Sequence, residues 1–242
     1  MPVVLLHPIG LNGRSWRFAP ASALQAASRY DLLWHGSRAQ PAAPLSLASF
    51  ANDVIENHDG PLDLIGISMG AYVAIEAALA RPERVRSVLV ACFSGGRGGS
   101  ERLRERAQYA EQYGMAGLVE GTLERWFTRR ALEAENQFGV SYARETLLND
   151  DPRAFAASWR ALADNDVWSR LDQVAVPTTV LHAASDVSVA RADSKSVAER
   201  IPGAEFWVIP GPHLAHLEEP DAFEQATLSH LARVHKLLRA RD

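Results

Sequence analysis

One stretch, residues 62–72, constrains this chain more than any other part of it. It begins with an apolar run typical of a strand buried in the middle of a parallel sheet, and it continues into alanine-rich sequence typical of a closely packed helix. Between the two lies Gly66-x-Ser68-x-Gly70. A strand that turns directly into a helix leaves no space for side chains two residues before and after its apex, which is where the glycines stand. The pattern predicts a strained turn that lifts the Ser68 hydroxyl clear of the sheet.

A serine at such a turn is a candidate nucleophile, but its hydroxyl needs a base, and the base needs a group that fixes its tautomer. Asp186 and His213 follow Ser68 in the order expected for this architecture, and each comes just after a predicted strand. The carboxyl ends of parallel strands collect such groups at one edge of the sheet. The sequence therefore predicts a triad in which Ser68 attacks, His213 carries the proton and Asp186 orients His213.

Acyl transfer at Ser68 would also need two N–H donors for the developing oxyanion. The backbone amide of Met69 is the first predicted donor, because it follows the serine at the N-terminus of a helix. The backbone amide of Ile9 is the second, in the loop after the first predicted strand. Pro8, just before it, has no N–H to donate.

The remaining sequence alternates between strands and helices in the manner of an α/β fold with a mostly parallel sheet flanked by helices. Strands are predicted at residues 3–6, 31–35, 62–67, 85–92, 177–182 and 204–209. Helices are predicted at residues 21–28, 46–57, from 69 onward, 190–200 and 221–238.

The alternation stops between residues 100 and 171, where the sequence predicts no strand. Four charged helices are expected there, at residues 102–113, 115–128, 131–148 and 152–163. We interpret this block as a helical lid inserted after the fourth predicted strand, with a separate four-helix domain as the alternative. The expected boundaries are residues 1–96 and 172–242 for the core and 97–171 for the lid, with a glycine-rich hinge at residues 95–99.

Length, charge and cysteine content set broader limits. A chain of 242 residues accommodates one α/β domain with such an insertion, and a net charge of −4 gives no reason to expect nucleic acid or an anionic membrane as partner. The single cysteine, Cys92, excludes an internal disulfide and suits a reducing compartment. The start lacks the basic region and long apolar core of a signal peptide. We expect a cytoplasmic protein that acts on a small molecule; a homodimer is neither predicted nor excluded.

These motifs resemble the α/β-hydrolase fold superfamily. The resemblance covers nearly the full length, since it includes residues 7–10 with Trp16, the Gly66–Gly70 turn, Asp186, and the tail from His213 to Glu218 and Pro220. Within the superfamily, the sequences at residues 114–118, 123–128 and 151–156 resemble 3-oxoadipate enol-lactonases. That subgroup hydrolyses a cyclic enol ester bearing a carboxylate. The resemblance implies the same chemistry here, with no cofactor and no metal.

Two departures from the superfamily pattern concern the sheet and the substrate. The superfamily usually has two further strands before the one predicted at residues 3–6, so the resemblance implies a smaller sheet or a shortened start. Its Asp-x-Arg-Gly-x-Gly loop after the second strand is reduced to residues 34–38 here.

A carboxylated lactone would need a cation in its pocket, and the predicted lid offers Arg125 and Arg129, with Arg130 and Arg160 as further candidates. Trp126, Phe127 and Trp159 are expected to line an apolar pocket beneath the lid. Ordinary helix packing and solvated arginines would account for the same residues without a substrate.

The roles of two triad residues and the class of function stay open at the level of sequence. Asp186 could cap a helix, with Asp164 or Asp166 as replacement acids, and His216 competes with His213 or joins it as a metal ligand pair. For function, a broad carboxylesterase or perhydrolase is the second hypothesis. A third hypothesis, from another class, is a small-molecule receptor on the same fold with little turnover.

Overall fold

The computed structural model describes residues 2–18, 21–96 and 100–240. Among these residues, the strands form a single parallel sheet in the order β2-β1-β3-β4-β5-β6. The strands are β1 (Val3–Leu6), β2 (Ser28–Tyr30), β3 (Leu62–Ile67), β4 (Val85–Ala91), β5 (Thr178–Ala183) and β6 (Glu205–Ile209). This is the predicted α/β architecture, with six strands in the described part of the chain.

Helices cover the sheet and fill the long insertion between β4 and β5. They are α1 (Leu47–Glu56), α2 (Met69–Ala80), α3 (Ser100–Tyr113), α4 (Val119–Trp126), α5 (Arg129–Glu133), α6 (Phe138–Leu148), α7 (Pro152–Ala163), α8 (Arg191–Arg200), α9 (Ala215–Glu218) and α10 (Pro220–Arg239). Helix α2 packs against β1, β3 and β4, whereas α8 contacts β5 and β6 and α10 contacts β4 and β6. None of the described helices combines the length and the apolar character needed to cross a membrane.

The core is built around β3, in which every residue is buried. It pairs with β1 on one side and with β4 on the other, so Ser68 at its carboxyl end lies near the middle of the sheet. Helix α1 begins at Leu47, one residue after the predicted start, and Ser46 is its N-cap, whose hydroxyl accepts a hydrogen bond from the Ser49 amide in a capping box. Its apolar face packs against α2.

The prediction for the second strand was wrong. Residues 28–30 pair with β1, whereas residues 31–35 turn away from the sheet, with Trp34 at φ 58° and the His35 amide donating to the Leu32 carbonyl. Leu32 is buried because it packs in the core from this turn. The helix predicted at residues 21–28 is only a short 3-10 turn, Ala23–Ala26, because the chain must be extended by Ser28 to enter β2.

The insertion contains helices and no strand throughout residues 100–171, all of which the structure describes. Helix α7 matches its prediction and α3 begins two residues earlier than expected. The helix predicted at residues 115–128 is a 3-10 turn, Met115–Gly117, followed by α4, which ends at Trp126 because Phe127 is extended. The helix predicted at residues 131–148 is divided into α5 and α6, and the chain turns between them at Asn136, where φ is 61°. We call α3 to α7 the inserted helices. The proposed core and lid boundaries remain a prediction, and residues 97–99 of the expected hinge lie outside the described residues.

Candidate active site

The turn between β3 and α2 holds Ser68 in a conformation that non-glycine residues rarely adopt, with φ 52° and ψ −118°. The flanking glycines make this turn possible. A Cβ on Gly66 would lie 2.2 Å from the Gly70 carbonyl oxygen, and one on Gly70 would lie 2.1 Å from the Leu6 carbonyl oxygen. Both approaches are far shorter than van der Waals contact, so only glycine allows α2 to start this close to β1 and β3.

Asp186 and His213 come to Ser68 from the ends of the last two strands of the sheet, which lie beyond β4. Asp186 follows β5 and His213 follows β6. The Nε2 atom of His213 lies 3.0 Å from the Ser68 Oγ, and its Nδ1 lies 2.9 Å from Asp186 Oδ2. The structure thus brings the three predicted residues into one hydrogen-bonded row.

Asp186 is held in a fixed orientation by its second oxygen. Its Oδ1 accepts the backbone N–H of Ser188 at 2.7 Å and that of Val189 at 3.1 Å. Burial raises the pKa of this carboxyl, but the charge of His213, the hydrogen bond with it and the two backbone N–H groups outweigh burial, so the net pKa is lowered. An ionised Asp186 accepts from the Nδ1–H of His213, which leaves Nε2 free to accept the Ser68 proton.

The amides predicted to stabilise an oxyanion are both available. Ile9 lines the same cavity as Ser68, and Met69 begins α2 directly after it. Within the described part of the chain, neither N–H donates to another residue. The loop that carries Ile9 is anchored by His7, whose Nε2 accepts the Leu32 amide at 3.0 Å while Nδ1 lies 2.8 Å from the Pro8 carbonyl oxygen.

A cavity of about 110 Å³ opens in front of Ser68 and His213. Of the residues predicted to form the pocket, Arg125, Trp126 and Trp159 line it. Two predictions were wrong. Phe127 is buried but is not part of the lining, because the chain leaves α4 there in an extended conformation. Arg129 is 89% exposed and pairs with Glu133, because it belongs to the next helix, α5.

The two remaining arginine candidates also lie away from the cavity. Arg160 forms an ion pair with Glu111 at 2.6 Å, and Arg130 pairs with Glu219 at 3.2 Å. A cavity arginine that the sequence patterns did not single out is Arg106, on α3. Its only sequence signal is its position on a helix of the insertion, which does not distinguish it from the exposed arginines nearby.

Cys92 also lines the cavity, at φ 52° directly after β4. Burial, followed by the nearby charge of Asp186, raises the pKa of its thiol well above the usual value, so the thiol stays protonated. Cys92, Asp186 and His213 form the one set of three metal-ligand types that the described residues bring close together, with ligand atoms within 4.8 Å of one another. A protonated thiol and a carboxylate already bonded to the imidazole fit a metal poorly.

The rival histidine, His216, is buried away from Ser68, and its ring packs on Trp16 at 4.8 Å and on Phe223 at 6.0 Å between centroids. Neither of its nitrogens has a described hydrogen-bond partner. Burial lowers its pKa to about 3, so it is neutral at physiological pH. It serves as part of the packing beneath the His213 loop.

The end of α4 is bonded to both loops that carry the candidate residues. The Arg125 carbonyl accepts the Ser188 hydroxyl at 3.2 Å, and the Trp126 carbonyl accepts the Leu214 amide at 3.1 Å. The buried Glu218 carboxylate accepts the amide and hydroxyl of Thr128. These bonds fix the roof of the cavity relative to Asp186 and His213.

Comparison with known proteins agrees with this geometry. The sequence profile of the alpha/beta hydrolase family matches residues 3–226. The chain belongs to this family. The resemblance predicted from the motifs is therefore confirmed, and the protein is a hydrolase of the α/β-hydrolase fold.

Individual relatives of this α/β hydrolase are distant. It is 28% identical to 3-oxoadipate enol-lactonase 2 of Acinetobacter baylyi over 201 residues, which cover 81% of this chain and 75% of the relative. It is 27% identical to a pimeloyl-(acyl-carrier protein) methyl ester esterase of Pectobacterium carotovorum over 94% of this chain and 92% of the esterase. Among solved structures, a hydrolase from Pseudomonas aeruginosa superposes with a TM-score of 0.88 at 30% identity, covering 95% of this chain and 89% of that one.

Proposed function

We propose that this α/β hydrolase cleaves a carboxylic ester or lactone through an acyl-enzyme formed on Ser68, with His213 as the base and Asp186 as its orienting partner. The observation that carries the proposal is the continuous row of hydrogen bonds from Ser68 Oγ through His213 to Asp186, at the mouth of a cavity and on a strained turn. Nucleophile, base and orienting acid within hydrogen-bond reach are the signature of nucleophilic acyl transfer.

In the first step, Ser68 Oγ forms a bond to the carbonyl carbon while its proton passes to His213 Nε2. The carbonyl electrons move onto oxygen, and the amides of Ile9 and Met69 stabilise the resulting oxyanion. When the carbonyl re-forms, the bond to the leaving oxygen breaks and His213 gives that oxygen its proton. In a lactone, the leaving oxygen stays attached to the acyl group.

In the second step, water replaces the leaving oxygen. Its oxygen bonds to the acyl carbon as its proton passes to His213 Nε2. Collapse of the second oxyanion breaks the bond to Ser68 Oγ, and the proton on His213 returns to the serine. The cycle consumes one water and needs neither a cofactor nor a metal.

A compact substrate fits the site better than a long-chain ester. The cavity of about 110 Å³ is smaller than the roughly 300–1,000 Å³ of common ligand pockets. An enol-lactone of the size of 3-oxoadipate enol-lactone is therefore the leading candidate, and the distant enol-lactonase relative supports it. Short-chain carboxylic esters are the runner-up substrates: the esterase relative supports an ester, and the size of the cavity favours a short one.

A fluorophosphonate probe tests the nucleophile. We expect the protein to carry one adduct, on the peptide containing Ser68, and Ser68→Ala to carry none. Ser94→Ala is the matched control, because Ser94 also lines the cavity but bonds to the Tyr72 hydroxyl at 3.0 Å instead of to a base. A folded wild-type protein without the adduct would favour a receptor on this fold over an enzyme.

A substrate panel tests the reaction. The enol-lactone and a series of p-nitrophenyl esters of increasing chain length are compared by kcat/KM in wild type and Ser68→Ala. We expect turnover only with Ser68 present, and a steep fall once the acyl chain exceeds the cavity. Turnover that survives Ser68→Ala, or that rises with chain length, would count against the proposal.

A further inference from the structure

Two arginine side chains share the cavity with Ser68, and neither pairs with a carboxylate of the described residues. Arg106 comes from α3 and Arg125 from α4. None of the described residues that line the cavity is acidic. Within the part of the chain that the structure describes, the Arg125 guanidinium donates to the Gly121 carbonyl and the Thr122 hydroxyl, both neutral acceptors.

The guanidinium of Arg106 lies against an aromatic ring instead of a hydrogen-bonding partner among the described residues. Its guanidinium carbon lies 4.9 Å from the centre of the Trp159 ring, and no hydrogen bond joins it to a described residue. Burial, together with the charges of Arg125 and Arg102, lowers its pKa to about 10, so it is still protonated at neutral pH. The stacked indole offsets only part of the cost of burying that charge.

Other arginines of the insertion form ion pairs with nearby carboxylates. Arg104, two residues before Arg106 on the same helix, pairs with Asp164 at 2.7 Å. Arg160 pairs with Glu111 across α3 and α7. Several arginines of the insertion thus form ion pairs on its outer surface, whereas no described carboxylate pairs with the two arginines at the cavity.

We propose that Arg106 and Arg125 together bind an anionic group of the substrate, a carboxylate, while the ester or lactone carbonyl of the same molecule lies at Ser68. Guanidinium groups bind carboxylates through charge-assisted and often bidentate hydrogen bonds. The indole N–H of Trp159, buried and without a described partner, adds a third donor beside Arg106. Arg106 is then a specificity-determining residue that no motif in the sequence marks.

This inference rests on the proposed function for its reaction but not for its binding site. The substrate class is a small ester or lactone with a carboxylate on the part of the molecule remote from the carbonyl. A neutral ester of the same size would leave two half-buried positive charges unneutralised in the complex. Selection between the two substrates is thus set by the charge that the cavity supplies.

The test compares mono-p-nitrophenyl succinate with p-nitrophenyl butyrate, which are similar in length but differ in charge. We expect wild type to favour the succinate ester. Arg106→Gln should lower the ratio of the two kcat/KM values by about 10- to 100-fold, mostly through KM of the succinate ester, as expected for one charge-assisted hydrogen-bonding group. Arg104→Gln is the matched control on the same helix, and its ratio should equal that of wild type.

A binding measurement separates this inference from the proposed reaction. Free succinate is titrated calorimetrically into Ser68→Ala and into the Ser68→Ala, Arg106→Gln double variant. We expect binding that weakens with Arg106→Gln and with added salt. Succinate binding without any ester turnover would support the anion site and refute the hydrolase proposal. Equal loss on both esters, or succinate affinity unaffected by Arg106→Gln, would overturn the anion site.

Discussion

Replacing Asp186 by Asn isolates the role of the carboxylate, because the structure predicts which way the new amide will face. Asp186 Oδ1 accepts two backbone N–H groups, from Ser188 and Val189. Only a carbonyl oxygen can accept both, so the Asn oxygen takes that position and its NH₂ group takes the place of Oδ2, 2.9 Å from His213 Nδ1. The amide then donates to Nδ1, and the His213 proton moves to Nε2, where it faces Ser68.

In that tautomer, His213 has no lone pair to accept the Ser68 proton. A comparable change in a serine protease triad lowers kcat about 10⁴-fold with the geometry intact, which corresponds to about 5.5 kcal/mol in the activation barrier. We expect a loss on the order of 10³- to 10⁴-fold in kcat for Asp186→Asn, with a melting temperature near that of wild type because the two side chains have the same shape.

The assay is steady-state hydrolysis of a p-nitrophenyl ester, with thermal unfolding of each variant. Asp166→Asn is the control, since Asp166 is an exposed carboxylate that bonds to Ser169 outside the cavity. Its kcat should match that of wild type. If Asp186→Asn kept more than about a tenth of the wild-type kcat, the carboxylate would not be setting the tautomer and the proposed triad would be wrong.

Three further predictions concern folding. Gly70→Ala places a Cβ 2.1 Å from the Leu6 carbonyl oxygen, so the free energy of unfolding measured in urea should fall by about 3 kcal/mol or more. A fall of less than about 1 kcal/mol would contradict this close packing. His216 is neutral in the folded state with a pKa of about 3, whereas the unfolded chain protonates it below about 6.5, so folding stability falls as pH drops through that window. His216→Phe lacks this pH dependence, so its free energy of unfolding relative to that of wild type should rise by about 2 kcal/mol between pH 7 and pH 5. A difference between the two proteins that is the same at both pH values would refute this prediction. Thr128→Val deprives the buried Glu218 carboxylate of its hydroxyl donor and should cost about 1–3 kcal/mol in urea unfolding, whereas a neutral effect would show that the bond is not structural.

The parts of the fold that sequence predicts well are those fixed by local backbone geometry. The turn around Ser68 needs glycine on both sides, and its apolar strand and alanine-rich helix leave little choice of structure. Asp186 and His213 could be selected because parallel strands end at one edge of the sheet, so order along the chain becomes proximity in space.

The parts that failed depend on packing that no local pattern records. Residues 31–35 have the apolar character of a strand, but the segment that pairs with β1 comes earlier in the chain, at residues 28–30. Leu32 is buried because it packs into the core from the turn that follows. Arg125 and Arg129 look equivalent as neighbours in a charged helix, yet α4 ends at Trp126 and a new helix begins at Arg129, so only Arg125 reaches the cavity. Arg106 enters the cavity because of how α3 packs on α7, which sequence alone does not reveal.

If Ser68 is the nucleophile, each turnover passes through a covalent acyl group on its oxygen. Acid quenching within the first turnover of a p-nitrophenyl ester, followed by intact mass and peptide mapping, detects that group. We expect a burst of up to one p-nitrophenolate per protein and an acyl group on the peptide that contains Ser68. An acyl group on another residue, or product formation that continues in Ser68→Ala, would contradict the proposed mechanism.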